Sequence, residues 1–479
     1  MLHLQYKISI SETVLRRKGK SRLPSGAEHG MLETKLDCES EARFMKQKLA
    51  RELLQFIRRS PSCYHVIAGF ETLLEEAGYT PLREEEKWSI VPGGRYYVTR
   101  NGSSLIAFRT PETLEGGFMM AAAHSDSPTF KLKAQAEKAA GQYVQLSTEK
   151  YGGMLMSTWL DRPLSVAGRV LVQQGDAIET RLVDIDRDLL VIPNVAIHMD
   201  RTANDGKKYL ANIDTLPLLG GPSAKGSLLP LVAESAGAAP EAVLDHDLFL
   251  YCRENGTLLG AEEGYILSPK LDDLECAYGC MQGFLQAEDS NGIPVCCVFD
   301  NEEVGSSTKQ GAASAFLRDT LRRIVRGLGL DEEAYQSMLA RSFLVSADNA
   351  HAQHPNHPEY ADSGNCPYLN QGIVVKYNAN QRYTTDGVSG AIFRSVCREA
   401  EVPVQVFANR SDLGGGSTLG SIANTMVPVN TVDIGLPQLA MHSAVETAGV
   451  EDLYSLVRAM TCYYGKTLCK EAAGVYRLK

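Results

Sequence analysis

Hydrophobic and polar positions change their periodicity several times along the chain, and each change predicts a different element. Apolar residues recur at three- and four-residue spacing in MKQKLARELLQFIRRS and in HVIAGFETLLEEAGY, which predicts two helices near the start of the folded region. The next segment, RYYVTRNGSSLIAF, alternates like a strand around Asn101-Gly102, a pair that adopts the positive φ angles of a tight turn. The chain therefore predicts two helices followed by a β-hairpin.

Strands and helices alternate after residue 264. Helices are predicted in DDLECAYGCMQGFLQA, AASAFLRDTLRRIVRGL and VSGAIFRSVCREA and after AMHSAVETAG, and strands in VCCVF, SFLVSAD, GIVVKYN and VPVQVFAN. An earlier apolar run, FMMAAA, predicts one more strand. This alternation favours an α/β fold with a mixed central sheet flanked by helices, whose ligands gather beyond the carboxyl ends of the strands.

The segment 127–263 differs from the rest of the chain. It contains strand-like pieces, GRVLVQQG, IETRLVDI and HDLFLYCRENGTLLG, separated by Gly and Asp. We therefore expect an inserted β-rich domain there, within a main domain formed by residues 44–126 and 264–479. Residues 1–43 show little periodicity, and we expect them to be a disordered extension.

Composition excludes several classes of protein. The chain has 479 residues, 44% of them hydrophobic, with a net charge of −10 and no basic stretch interleaved with aromatic residues, which argues against nucleic-acid binding. No apolar stretch approaches the roughly 20 residues of a membrane helix, and no signal peptide is apparent. We therefore expect no membrane partner. The 11 cysteines form no CxxC pair, so we expect reduced thiols and a cytoplasmic protein.

Seven acidic or histidine side chains follow a predicted strand or open a predicted helix: His124, Asp126, Asp272, Glu302, Glu303, Asp348 and His442. Asp272 and His442 are the two expected to open helices. Taken singly, an acidic residue before a helix is an ordinary N-cap, and a lone histidine is an ordinary polar group. Taken together, two imidazoles and several carboxylates at one edge of a sheet suit zinc, cobalt or manganese.

The adjacent pair Glu302 and Glu303 fits a site with two metals. Such a site needs a bridging carboxylate, terminal ligands and open positions for water and substrate. Neighbouring side chains diverge, so Glu303 can bind metal while Glu302, with a raised pKa beside the apolar strand, takes a proton from water. Asp126 lies two residues beyond His124, where strand geometry lets it hold the imidazole in the metal-binding tautomer.

Six segments resemble, in order, the signatures of the aspartyl aminopeptidase family of dinuclear metallopeptidases: AAHSDSPTFKLK, KLDDLECA, FDNEEVGS, SADNAHAQHPN, KYNANQRYTTDG and LPQLAMHSAVETAG. The resemblance runs from about residue 45 to the end of the chain. It implies that Asp272 bridges two divalent metal ions. It places Glu303 and His442 on one ion and His124 and Asp348 on the other. It also implies that Glu302 is the general base and that Asp126 orients the site.

The resemblance further implies an aminopeptidase that removes acidic N-terminal residues from peptides, through a metal-bridging water activated by Glu302. Lys376 would pair with the acidic side chain of the substrate, because a buried unpaired carboxylate is costly. Without the resemblance, the alternative is a surface lysine. His198 would reach the active site of a neighbouring subunit. The resemblance also implies dimers built through the inserted domain, which assemble into a homododecamer of twelve chains.

Three further features have plainer interpretations. The prolines of HAQHPNHPEY oppose a helix, so His354 and His357 are expected on a surface loop and only His351 near the metals. The glycines of SDLGGGSTLG lack nucleotide-binding spacing and are expected beside the bound peptide. Cys276 and Cys280 have no second half of a metal site and are expected in the core.

Two alternatives stay open at this point. A dinuclear hydrolase of another amide, such as an N-acyl deacylase, would use the same ligand types, because ligands do not encode the scissile group. A non-catalytic assembly protein could also keep the fold.

Overall fold

The computed structural model describes the backbone of residues 27–416 and 418–479 and the side chains from residue 40 onward. Two compact units divide the chain, Met1–Met45 and Lys46–Lys479, and the sheets belong to the second. The expected disorder of residues 1–43 falls partly outside the described residues. From Ala27, however, the backbone is helical, which departs from that expectation. Residues 27–43 contain four Glu, two Ala and two Leu, and these residues favour helix without a clear apolar stripe.

The helices of the described residues are α1 (Ala27–Arg58), α2 (Cys63–Glu76), α3 (Leu228–Ser235), α4 (Leu271–Gln286), α5 (Phe316–Gly327), α6 (Glu332–Leu339), α7 (Gly387–Glu399), α8 (Leu419–Met426) and α9 (Val450–Tyr464). Among the described residues, no helix combines the length and apolar character needed to cross a lipid bilayer.

The strands are β1 (Thr80–Leu82), β2 (Arg95–Arg100), β3 (Ser104–Arg109), β4 (Phe118–His124), β5 (Thr129–Ala140), β6 (Tyr143–Tyr151), β7 (Leu164–Gln174), β8 (Ala177–Asp184), β9 (Leu218–Gly220), β10 (Val243–Cys252), β11 (Thr257–Leu259), β12 (Tyr265–Ser268), β13 (Ile293–Phe299), β14 (Phe343–Ala347), β15 (Ala350–His351), β16 (Ile373–Tyr377), β17 (Val404–Ala408), β18 (Asn430–Gly435), β19 (Pro437–Leu439), β20 (Glu446–Gly449), β21 (Leu468–Ala472) and β22 (Val475–Leu478).

The main sheet is mixed and has nine strands in the order β1-β2-β3-β13-β4-β14-β18-β16-β17. Its centre, β13-β4-β14-β18, is parallel, and β16 runs antiparallel to β18. Parallel neighbours end at the same edge, so the residues that follow β4, β13 and β14 are brought together there. This mixed sheet with helices on its faces confirms the predicted fold class.

A second sheet of six strands, β8-β7-β10-β5-β6-β9, lies within residues 129–252. Every pairing in it is antiparallel. Its core includes Phe130 and Trp159, whose rings meet edge to face. A third sheet, β11-β12-β20-β19-β15, joins segments from distant parts of the chain and carries the loop that contains His442. The strands predicted in GRVLVQQG, IETRLVDI and HDLFLYC are all present.

Two apolar clusters cover the two faces of the main sheet. Strand β4 is buried on both faces, which explains why its sequence is an unbroken apolar run instead of an alternating one. Helices α4 and α9 pack closely because Gly283 leaves room for the backbone of α9: a Cβ there would lie 3.0 Å from the carbonyl carbon of Met460. This packing fixes α4, whose first residues enter the metal centre.

The predicted hairpin is confirmed, with β2 and β3 joined at Asn101 and Gly102, both at positive φ. The expectation that His442 opens the last helix is wrong. His442 lies in a turn with φ 65°, and the residues after it form β20, which pairs with β12. Helix α9 begins only at Val450. The β-pairing of Glu446–Gly449 with distant strands overrides the local pattern.

Candidate metal centre

The centre forms where three parallel strands of the main sheet end. His124 is the last residue of β4, Asp348 follows β14, and Glu302 and Glu303 lie in a short 3₁₀ turn after β13. Asn301, at φ 64°, turns the chain out of β13 so that the two glutamates enter the crevice. Asp272 arrives from the start of α4, where its backbone is not helical.

Three groups of potential ligands meet here, and within each group the ligand atoms lie within 4.8 Å of one another. One group contains His124, Glu302 and Glu303. The other two share the carboxylate of Asp272. The first of these two contains His124, Asp272, Asp273 and Asp348, and the second contains Asp272, Glu303 and His442. The five residues expected as metal ligands are thus brought together in one crevice. Asp273 is an addition that the sequence analysis did not single out, although it is adjacent to Asp272.

Asp272 faces an imidazole with each of its oxygens. Its Oδ1 lies 3.5 Å from Nε2 of His124, and its Oδ2 lies 3.3 Å from Nε2 of His442. The same Nε2 of His442 is 3.2 Å from Oε1 of Glu303. Although burial raises the pKa of Asp272, the two imidazoles lower it below its usual range. One carboxylate with a histidine on either side is the geometry that a bridging ligand requires.

His124 is held by its other ring nitrogen. Nδ1 donates a hydrogen bond to the backbone carbonyl of Asp126 at 3.0 Å and lies 3.5 Å from its Oδ1. This fixes the tautomer that leaves the lone pair of Nε2 free for a ligand. The two side-chain oxygens of Asp126 also accept the N–H groups of Glu302 and Glu303, at 3.1 and 3.2 Å. Asp126 therefore positions both glutamates as well as the imidazole.

The cluster concentrates buried negative charge. Burial is the main cause that raises the pKa of Glu302 to about 8 and that of Glu303 to about 7. Burial also raises the pKa of Asp273 well above its usual range. Oδ1 of Asp272 and Oδ1 of Asp273 are buried and accept no hydrogen bond from the described residues. Buried carboxylate oxygens without donors are costly, and divalent cations would satisfy them.

The donor set fits zinc, cobalt or manganese. It consists of imidazole nitrogen and carboxylate oxygen, which these ions accept, and it contains no thiolate. A cysteine close to the centre, Cys276, donates from Sγ to Oδ1 of Asn349 at 3.0 Å and is buried in α4. The residues present therefore fit a pair of divalent ions.

Glu446 holds the backbones of two expected ligands, and the sequence pattern did not point to it. Its Oε2 accepts the N–H of Asp272 at 3.0 Å, and its Oε1 accepts the N–H of His442 at 2.6 Å. It lies inside the quoted AMHSAVETAG segment, but nothing in the local pattern distinguishes it from an ordinary strand residue. One buried carboxylate thus fixes the backbones of two expected ligands.

We expect Glu446→Ala to weaken metal binding about 10- to 100-fold, because residues that orient ligands have effects of this size. It should also destabilise the fold, since it leaves the buried N–H of Asp272 without an acceptor, at about 1–3 kcal/mol, and the partly buried N–H of His442 as well. Metal titration and thermal unfolding measure the two effects. Glu446→Gln keeps one carbonyl oxygen and should lie between Ala and the unchanged protein. Unchanged metal affinity in Glu446→Ala would contradict the supporting role.

Lys376 borders the centre from β16. It is 3% exposed, so it is not a surface lysine. Its Nζ donates to the backbone carbonyl of Asn349 at 2.8 Å and lies 3.8 Å from Oδ1 of Asp348. Burial alone would lower the pKa of Lys376, but Asp348 and other neighbours raise it to about 12. A fixed positive charge therefore lies beside one expected metal ligand.

The remaining expected residues lie elsewhere. His198 is exposed, on a loop of the segment with the second sheet, and belongs to none of the three ligand groups. His354 and His357 are exposed and contact each other at 5.3 Å between ring centroids, outside the ligand groups. His351 is exposed but near the centre: the surrounding protein and Lys376 lower its pKa, and Asp272 raises it. In the glycine-rich loop, Thr418 donates to Asp433 at 2.7 Å.

Comparisons with known proteins show the family of the chain. The family model described as "Aminopeptidase I zinc metalloprotease (M18)" matches residues 56–464. A curated relative from Clostridium novyi, a probable M18 family aminopeptidase 2, is 44% identical over 428 residues, which cover 88% of this chain and 99% of the relative.

Solved structures give the same result. A chain of the Ape4 and Nbr1 complex has a TM-score of 0.86 and 36% identity, covering 88% of this chain and 86% of that one. The S. cerevesiae mApe1 dodecamer has a TM-score of 0.76 and 28% identity, covering 87% and 96%. The chain belongs to the M18 family of zinc metalloprotease aminopeptidases.

Proposed function

We propose that this aminopeptidase removes acidic residues from peptide N-termini with the help of two divalent ions. The observation that carries the proposal is Asp272, whose two oxygens face two different imidazoles. His124 and Asp348 would complete one site, and Glu303 and His442 the other. When bound, such ions polarise the scissile carbonyl and lower the pKa of a water molecule.

Glu302 is the proposed general base. Its carboxylate lies in one group with the imidazole of His124 and the carboxylate of Glu303, and its backbone N–H is held by Asp126. A carboxylate whose pKa is raised by burial accepts a proton from water more readily than an ordinary glutamate. After the water has attacked the scissile carbonyl, the protonated Glu302 would return the proton to the leaving amine.

Lys376 is the proposed determinant of acidic specificity. An N-terminal Asp or Glu brings a carboxylate into the crevice, where burial without a cation is costly. Among the described residues, Asp348 is the one carboxylate within 4 Å of the Lys376 ammonium, at 3.8 Å. A metal ion held by Asp348 would offset the negative charge of that carboxylate, and Lys376 would then be available to pair with the substrate.

We expect Lys376→Glu to lower kcat/KM about 100-fold for substrates that begin with Asp or Glu, because it places a negative charge opposite theirs. The loss for an Ala substrate should be at least tenfold smaller. A panel of aminoacyl substrates measures this difference.

Lys133→Glu is the matched control, since Lys133 is exposed and the charge change is the same. Lys133→Glu should leave kcat/KM for the Asp, Glu and Ala substrates nearly unchanged. Equal losses for Asp, Glu and Ala substrates in Lys376→Glu would remove Lys376 from specificity.

The domain organisation and assembly are also part of the proposal. We assign residues 44–126 and 264–479 to the catalytic domain and 127–263 to an inserted domain that forms dimers, which assemble into a dodecamer like the solved mApe1 relative. The loop around His198 supports this, because three apolar side chains in it are exposed: Val195 (45%), Ile197 (48%) and Met199 (84%). Contact with a neighbouring subunit would cover these side chains and bring His198 to the active site of that subunit.

The proposed location is the cytoplasm. All cysteines of the described residues are free thiols, and a reducing compartment maintains them in that state.

A further inference from the structure

A short segment that follows β6 lies against the metal centre. Strand β6 ends at Tyr151, and the residues after it leave the second sheet. We call residues 151–158, YGGMLMST, the strap. The strap contacts three parts of the centre, which are the carboxylate of Asp126, the side chain of Glu303 and the loop that carries His442.

The hydroxyl of Tyr151 is held between two polar side chains. It donates to Oδ2 of Asp126 at 2.7 Å and accepts the amide N–H of Asn301 at 2.8 Å. Burial and the charge of Asp126 raise the pKa of Tyr151 above its usual range, so the hydroxyl keeps its proton. The ring packs edge to face against Phe249, with centroids 5.7 Å apart. The hydroxyl is therefore fixed as a donor toward the carboxylate.

Asp126 connects this hydroxyl to both glutamates. The oxygen that accepts from Tyr151 also accepts the N–H of Glu303 at 3.2 Å, and the other oxygen accepts the N–H of Glu302 at 3.1 Å. Asn301, the second partner of the hydroxyl, is the residue at φ 64° that turns the chain out of β13. One hydroxyl thus bonds to both residues that set the direction of the turn with the glutamates.

Gly152 places the strap directly beside Glu303. Its φ is 74°, and a Cβ on it would lie 3.1 Å from Cβ of Glu303 and 3.3 Å from Oε2. Glycine adopts this backbone conformation without strain and leaves the space to the glutamate. A side chain at this position would push against an expected metal ligand.

Two hydrogen bonds join the strap to the loop that carries His442. The N–H of Leu155 donates to the backbone carbonyl of His442 at 3.0 Å, and Oγ1 of Thr158 accepts the N–H of Ala444 at 2.9 Å. His442 is at φ 65°, a conformation that a non-glycine residue keeps only when its surroundings hold it. The strap supplies part of that support.

We propose that the strap is part of the active site and that Tyr151 is a positioning residue, which fixes the geometry of Glu302 through Asp126. The region 127–263 would then support catalysis within its own chain, in addition to its proposed role in assembly. The effect of Tyr151 on turnover rests on the proposed role of Glu302. The effect of Gly152 concerns metal binding and does not depend on the base.

Tyr151→Phe removes the hydroxyl and keeps the ring. We expect kcat to fall about tenfold with KM within about twofold, because residues that orient catalytic groups act on the transition state and have effects of this size. The metal content should stay unchanged. Tyr143→Phe is the matched control, since Tyr143 begins the same strand and is 60% exposed, and it should keep kcat. Steady-state kinetics, elemental analysis and thermal unfolding of both variants measure these quantities.

A double variant separates positioning from a structural role. In the Glu302→Gln background, Tyr151→Phe should lower kcat by less than about twofold further, because both changes act on one group. The role of Tyr151 is overturned if kcat stays normal, if the loss of kcat matches a loss of metal or of folded protein, or if the loss is equally large in both backgrounds. Near-normal turnover of Glu302→Gln alone would overturn the base, and with it the role of Tyr151, but not the prediction for Gly152.

Gly152→Ala tests the strap without a measurement of turnover. We expect zinc, titrated into the metal-free protein, to bind about tenfold more weakly, because the added methyl group displaces Glu303. Gly175→Ala is the matched control for backbone strain. Gly175 has φ 63°, and a Cβ there would meet no atom of the described residues within 4 Å beyond its chain neighbours. Equal zinc affinity in the two variants would overturn the place of the strap in the active site.

Discussion

Glu302→Gln is expected to lower kcat about 10³-fold while both divalent ions stay bound. The amide has almost the same shape as the carboxylate but cannot accept a proton at neutral pH, and a positioned general base contributes about 10²–10⁴-fold. A 10³-fold loss corresponds to about 4 kcal/mol of transition-state stabilisation. Steady-state kinetics on an acidic aminoacyl substrate, together with elemental analysis of the same preparation, measures both quantities.

The metal content decides between two roles for Glu302, because its carboxylate lies close to His124 and Glu303. Replacing a general base leaves the metal content unchanged, whereas replacing a metal ligand lowers it. Glu333→Gln, at an exposed position of α6, is the matched control and should keep full activity. Near-normal turnover in Glu302→Gln, or loss of metal, would contradict the assignment of Glu302 as the base.

Asp272→Asn is expected to reduce the bound metal from the two ions per chain that we propose to fewer than one and to abolish turnover. Asp272 belongs to the group around Asp348 and to the group around His442, so removing its charge weakens both sites at once. Once the ions are lost, the surrounding carboxylates remain buried without counter-charges, which is costly. Elemental analysis after dialysis against metal-free buffer measures the loss.

Two controls make this prediction sharp. Asp348→Asn affects only the group that contains His124 and Asp273, so it should retain more metal than Asp272→Asn. Asp176→Asn, at an exposed turn, should retain both ions. If Asp272→Asn and Asp348→Asn lose metal equally, Asp272 does not bridge.

Much of the fold could be predicted because the strongest signals are local. Apolar runs such as the one before His124 and the turn at Asn101-Gly102 depend on a few neighbouring residues. The expected ligands converge at one edge of the main sheet because the carboxyl ends of parallel strands lie at the same edge. The family resemblance then favours a peptidase over the deacylase and the non-catalytic protein, a choice that residue types alone leave open.

The rest depends on contacts between distant segments. The local pattern misplaces His442 because β20 forms only when Glu446–Gly449 meets β12, more than 170 residues earlier in the chain. The same long-range contact makes Glu446 a support of the centre. The sequence predicts that Asp126 holds His124, yet its carboxylate also holds the two glutamates, because the turn after β13 folds back on it. No local pattern encodes these distances.

Two cations held by side chains from distant segments of the chain are central to the proposed mechanism. An anomalous diffraction experiment at the absorption edge of the bound metal tests this most directly. We expect two peaks about 3.5–4 Å apart, one between His124 and Asp348 and one between Glu303 and His442, with Asp272 reaching both. A single peak, or peaks only at the exposed His354 and His357 loop, would contradict a dinuclear centre.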